Sequence, residues 1–467
     1  MRLVKLFALA ATGGLIIGCT GLRVESVGPD DDIVTLTATV GFGGGAATRA
    51  LTPEGVKTFA AGDRIAVIYT DTRDATVKGE TAELTPDDIT DGGKKAAITV
   101  TLKNPKAGGA LKYIYPASMA KDDGSVDYDG LATQDGTLAT LARSFDCCTF
   151  EGNLTEGATL PPSALMKNRL AIVKFSVRDS GGADVTRGIT GLSVDDGTHF
   201  YSILPVGQDT IYAALRPVGN ARLSFSAADA SDLYVKAETG KTLEANTLYS
   251  VDLTMTAAVP VVGHFLNKDG SITSTKQTGG DNESYAVIAY VGAVAHYFDR
   301  FVALALENVD DKGHGIGGNN GALAVVDTYA AAHPVTIGGK LFNTNAGGTK
   351  TYFDYVPSGA QNPSNVLTGD VIQGWRLPCV TDFRYVFQGL CGGPSATDPV
   401  GLTNYGAYGS GSAFVAAINA ACGNTGMQAG IYQSSSKGGY WWCYRFDKGQ
   451  FWDYPDNGFL VRAVFAF

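Results

Sequence analysis

Residues 34–55, VTLTATVGFGGGAATRALTPEG, decide how the chain reads. Val34, Leu36, Ala38, Val40 and Phe42 alternate with Thr35, Thr37, Thr39 and Gly41. Period two along a whole segment gives one apolar face, which predicts a strand paired in a β-sandwich. The glycines that follow, Gly41-Phe42-Gly43-Gly44-Gly45-Ala46, match G-x-G-x-x-A and run into Thr48-Arg49-Ala50. A dinucleotide site needs a helix directly after its glycines, because the helix's first amides hold the pyrophosphate. Here Pro53 and Gly55 follow, with no apolar helical stripe and no βαβ unit around the motif. The glycines therefore read as a flexible connector that exposes Arg49, with small residues that would fit a protease cleft; the other reading is an exposed loop arginine in an intact sandwich.

The rest of the chain agrees with a β reading. It has 467 residues, of which 60 are glycine and 18% are charged. That describes a loop-rich globular protein of about three domains, not a disordered one. A formal net charge of -10, without a lysine/arginine cluster, argues against a nucleic-acid surface. At the N-terminus, Arg2 and Lys5 flank a short apolar run that ends in Leu15-Ile16-Ile17-Gly18-Cys19. This resembles the lipobox of bacterial lipoproteins. The resemblance implies a signal peptide over 1–18, cleavage before Cys19 and lipidation of the Cys19 thiol. Six cysteines remain: Cys147, Cys148, Cys379, Cys391, Cys422 and Cys443. Export permits disulfides, and the last four allow three pairings; buried thiols are the other reading.

Three blocks follow the connector. Residues 50–157 are β in texture, with AAGDRIAVIYTD, KKAAITVTL and ALKYIYPAS as strands. Pro161-Pro162 marks a linker into a second β block, 158–258, where short strands recur between Gly, Asp and Asn turns. Residues 259–467 differ, holding all four tryptophans. Two helices are expected there. One begins at a Thr381 N-cap ahead of DFRYVF. The other is SGSAFVAAINAACG, with Phe414, Ile418 and Cys422 on one face and Gly423 at its end. Strands YWWCYRF, GQFWDY and FLVRAVFAF close the chain, with a tight turn at Pro455-Asp456-Asn457-Gly458 between the last two.

Little here points to catalysis. The five histidines are scattered without metal-ligand spacing, and no G-x-S-x-G elbow occurs. Asn267-Lys268-Asp269-Gly270 and Asp310-Asp311 read as turns, since neither has the spacing of a calcium loop. No catalytic residue, metal or cofactor is expected. The aromatic strands are different. Trp441, Trp442, Tyr444, Trp452 and Tyr454 would offer flat apolar rings with polar tips to a sugar or a protein, if one face is exposed. Otherwise they fill a core and its rim.

The first two blocks resemble the fimbrillin (Mfa-like) family of pilus lipoproteins, through ATRALTPEGVKTFAAGDRIAVIYTD, ALKYIYPAS, LMKNRLAIVKFSV and GKTLEANTLYSVDLTM in that order. The resemblance implies a mainly β protein with two tandem fimbrillin-type sandwiches, outer-membrane delivery, and a propeptide, 19–49, cut after Arg49. It also implies Ala50 as the new N-terminus and, as partners, other fimbrial subunits joined by strand insertion. The third block resembles a C-type-lectin-like α+β domain, through GWRLPCVTDFRYVF and NGFLVRAVFAF. Its WRLP turn is shared with formylglycine-generating enzymes, whose reactive cysteine arrangement cannot be placed among Cys379, Cys391, Cys422 and Cys443. The resulting expectation is a tip fimbrial subunit that presents an adhesin domain. The alternative is an uncut, tethered glycan-binding lipoprotein.

Overall fold

The computed structural model describes residues 22–24, 32–42, 58–280, 282–294, 298–314, 320–346, 372–394, 396, 409–423, 427–437, 441–454 and 459–467. The fold is mainly β. The alternating stretch is the strand β1 (Ile33–Phe42), and the short strand Leu22–Val24 before it pairs antiparallel with its start, Leu22↔Thr35 through Val24↔Ile33. Leu36, Ala38 and Val40 are buried while Thr37 and Thr39 are exposed, as the period requires. β1 lies antiparallel to β2 (Lys95–Lys103), in unbroken register from Ile33↔Lys103 to Gly41↔Lys95. Past β3 (Cys148–Asn153) comes β4 (Ser163–Asn168), which has two partners. Its first half runs parallel to β1, Ser163↔Thr39 through Met166↔Phe42. Its second half pairs with β3, and the sheet continues through Ala110–Tyr115 and Ala66–Thr70. The two halves enclose one core, with Leu36, Val40, Ile98 and Leu102 against Val67, Leu111 and Tyr113.

The chain passes from β4 directly into β5 (Ala171–Arg178), the middle of a three-stranded sheet. β6 (Gly191–Asp195), β7 (Val218–Ala228) and β8 (Leu233–Leu243) belong to the sheet that faces it. β9 (Thr247–Thr254) pairs in parallel with the whole of β5. Val173, Phe175, Leu192, Phe225 and Leu253 fill the space between. Ala117, Met119, Leu131 and Cys147 share that core, and Gln134 stitches into it. The Gln134 amide donates to Leu131 O and Ala214 O at 3.0 and 2.9 Å, and accepts from Ala214 N at 2.9 Å. The prolines at 161–162 thus fall before the last strand of the first sheet. Proline interrupts a ladder, but does not by itself separate two cores.

Among the described residues, the third unit has two larger sheets, a two-stranded hairpin and three helices. β10 (Phe265–Asn267), β11 (Ser284–Val291) and β12 (Phe301–Ala305) form one sheet. The helix α1 (Asn320–Ala332) and the hairpin β13 (Val335–Ile337) and β14 (Lys340–Phe342) come next. β15 (Gly374–Arg376) leads to α2 (Val380–Cys391) and α3 (Gly411–Ala421). The second sheet holds β16 (Ile431–Lys437), β17 (Trp441–Arg445), β18 (Gln450–Tyr454) and β19 (Phe459–Val461), and β20 (Val464–Ala466) returns to the first, between β12 and β15. α3 carries the expected face, with Phe414, Ile418 and Cys422 buried and Gly423 at φ +75°. α2 departs from expectation, because Cys379, not Thr381, is its N-cap. Asp382 Oδ2 accepts from Cys379 N at 3.0 Å, and Asp382 N donates to Cys379 Sγ at 3.4 Å. The FLVRAVFAF run splits at Arg462. That buried guanidinium donates to Ala305 O, Asn308 Oδ1 and Cys422 Sγ at 2.8, 3.2 and 3.3 Å. β19 therefore joins β16, not β18; the turn at 455–458 lies outside the described residues.

The third unit is seated on the second. Arg300 donates to Asp229 O and Ser231 O at 2.6 and 3.0 Å, and Ser202 Oγ donates to Gly339 O at 3.0 Å. The backbones meet so closely that a Cβ on Gly191 would lie 2.7 Å from Gly338 O. The six described cysteines are thiols, not disulfides. Burial pushes the Cys391 thiol up to about 12.

Candidate functional site

The feature with functional chemistry is the slot that β1 occupies. β1 is a middle strand, with β2 along one edge, and Leu22–Val24 against its start and β4 against its end on the other. Its inward side chains close the first core, and Phe42 stacks on Phe59 with ring centroids 4.3 Å apart. Phe59 also meets Tyr115 edge-on at 5.4 Å. In the same core Tyr113 is fully buried, and among the described residues its hydroxyl has no hydrogen-bond partner; burial alone pushes that hydroxyl's pKa up.

Taking β1 away would leave two ladder edges and an apolar trough between β2 and β4. Backbone groups and apolar side chains exposed in that way favour pairing with another strand. Sequence reasoning found β1 but not β4 as its second wall. The signal was present in Ala164 and Met166, which alternate with exposed Ser163, Leu165 and Lys167. The candidate processing residues Arg49 and Ala50, and the candidate lipidation residue Cys19, lie outside the described residues.

The aromatic strands separate into core and rim. β17 and β18 pair as expected, Cys443 opposite Trp452 and Tyr444 opposite Phe451. Tyr444 does not belong to a binding face. It is fully buried among Phe387, Phe446 and Phe451, with centroids at 4.5, 4.6 and 4.9 Å. The core took this face because α2 and α3 bring Phe387 and Phe414 onto it. Trp452 is half-buried, and the Arg445 guanidinium lies 4.5 Å from its ring centroid. Arg445 also donates to Asp447 Oδ2 at 2.6 Å, which holds that carboxyl below its ordinary range. The side chains of Trp441, Trp442 and Tyr454 lie outside the described residues.

No family model matches the chain, and no curated protein matches it significantly. Solved structures do. A candidate cell adhesion protein from Bacteroides uniformis is 11% identical, over 48% of this chain and 97% of its own, with a TM-score of 0.29. A fimbrial assembly protein from Parabacteroides distasonis is 11% identical, over 47% and 90%, with a TM-score of 0.29. A candidate cell adhesion protein from Bacteroides fragilis is 12% identical, over 48% and 91%, with a TM-score of 0.28. The chain is thus similar, over about half its length, to bacterial proteins described by adhesion and fimbrial assembly.

Proposed function

We propose that the chain is a tip subunit of a fimbrium, which accepts a neighbour's strand in place of β1 and presents its third unit as an adhesin. The observation that carries this reading is the seat of β1, buried in the first core yet linked onward through the segment that contains Arg49. A cut after Arg49 frees β1 as a separate peptide. A strand with the same alternation from another subunit then satisfies the edges of β2 and β4 and reburies the trough. The pairing of β9 supports the tip position. This strand is paired along its whole length with β5, and the seated third unit follows it in the chain, so it is not free to be donated. Lipidation at Cys19 would carry the precursor to the outer membrane and be lost with the propeptide. Trp452, Trp441, Trp442 and Tyr454 are the candidate ligand-binding residues of this reading. Tyr444 is not among them.

The uncut, tethered glycan binder is the second reading, favoured by the complete sandwich that β1 makes when it stays. The N-terminus of the cell-surface protein separates the two. Ala50 supports the fimbrial subunit, and a lipid-blocked Cys19 supports the tethered binder.

A further inference from the structure

A cleft of about 130 Å³ opens where the second sandwich meets the third unit. One side consists of the end of β6 and the middle of β7; the other is the turn after β10, together with β13. Both sides are held rigidly. The Asp196 side chain, 3% exposed, accepts from the amides of Thr198 and His199 at 2.8 and 2.7 Å, and its other oxygen lies 3.1 Å from His199 Nδ1. His199 Nε2 in turn meets Arg216 Nη1 at 3.0 Å. Opposite, Thr336 N donates to Lys268 O at 2.8 Å. The turn lies so close to β13 that a Cβ on Gly270 would come 2.1 Å from Thr336 O. A site of this kind is organised before a ligand arrives.

Several polar groups of this frame are unused by the protein. Among the described residues, the Lys268 ammonium has no ion pair, and neither the Ser224 nor the Thr336 hydroxyl has a hydrogen-bond partner. Asp195 accepts Gly197 N at 2.8 Å through one carboxylate oxygen, and its second oxygen is uncommitted. Arg222 and Asp269 stand 3.8 Å apart, so cations and anions are mixed across the cleft. Such a lining disfavours a phosphate, which would meet Asp195 and Asp269, and an apolar ligand, which would strand every polar group. It suits a small neutral molecule with many hydroxyls, each able to donate and accept.

We propose that this junction cleft binds the terminal ring of a neutral glycan. Asp195 accepts from sugar hydroxyls, Lys268 donates to them, and Ser224 and Thr336 do either. Pro334 and Leu341 meet the apolar side of the ring. The choice of a saccharide rests on the adhesin reading above, but the site is separate from Trp452.

The test uses the full chain, titrated by calorimetry and saturation-transfer NMR. The probes are methyl α-mannoside, methyl β-galactoside, methyl β-glucoside and N-acetylglucosamine, with N-acetylneuraminic acid and glycine as acidic and zwitterionic comparators. At least one neutral sugar should bind. Asp195→Asn and Lys268→Ala should each weaken it by about tenfold or more, the loss of a charge-assisted hydrogen bond, while Glu156→Ala, exposed in the first sandwich, leaves it unchanged. Failure of every neutral sugar, preference for a comparator, or indifference to both cleft substitutions overturns the site. Adhesion of assembled fibres to cells is measured in parallel. If Asp195→Asn fibres adhere as well as the wild type and the sugars do not bind, the cleft proposal falls and the adhesin stands. If wild-type fibres do not adhere at all, the adhesin reading falls whatever the sugars do.

Discussion

Arg376 and Asp382 set the geometry of the third unit at the scale of single residues. Both are buried, and Arg376 donates to the two carboxylate oxygens at 2.6 and 3.1 Å and to Ile372 O at 2.9 Å. Asp382 thereby pairs the guanidinium and caps α2 at once. Removing one partner of a buried pair leaves an uncompensated charge. Asp382→Asn should therefore cost about 3–5 kcal/mol, seen as early melting of the third unit in calorimetry. An unchanged melting profile would mean that the pair contributes little. Sequence reasoning placed α2 but chose Thr381 as its cap, from the general preference for threonine. What overrode that preference is the pull of Arg376 on Asp382, a contact between residues that local pattern does not connect. Tyr444 was illegible for a related reason. Both faces of β17 carry aromatic residues, so only the arrival of α2 and α3 decides which is core.

At the scale of elements, β1 was the most legible part of the chain and its partners the least. Period two fixes which side chains face inward, but register across a sheet is set by strands distant in sequence. Burial of Leu36 and Val40 stabilises the strand's place by roughly 3–6 kcal/mol. Val40→Asp puts a charge into a fully buried site, so β1 should leave its slot. Hydrogen exchange should then rise at the amides of β2 and β4 that face it, while β5 and β12 keep their protection. Thr37→Asp, on the exposed face, serves as the control and should change nothing. Equal exchange in both variants would mean that β1 does not hold that edge. α1 was missed although Ala322, Val326, Tyr329 and Ala330 are buried on one face. Its small side chains give a weak apolar stripe, and glycines before it read as loop.

At the scale of the molecule, the seating of the third unit on the second creates the junction cleft. The close backbone approach at Gly191 is the point to disturb, because this residue sits in the regular strand β6. Gly191→Val should push the β13–β14 hairpin away. Proteinase K should then cut faster between the second and third units, near the exposed residues Val259 and Val261. An unaltered digestion pattern would show that the seating tolerates the added side chain. None of this contact was legible in the sequence, since glycines that permit backbone approach look the same as glycines in turns.

The central claim, that β1 is a strand made to be replaced, has one direct measurement. Arg49→Ala is expressed in the native cell, and fibre-bound and monomeric chains are sequenced from their N-termini. The account predicts wild-type fibres that begin at Ala50, and a folded Arg49→Ala chain that keeps residues 33–42 and stays out of fibres. Fibres that contain the Arg49→Ala chain with residues 33–42 still attached would contradict it.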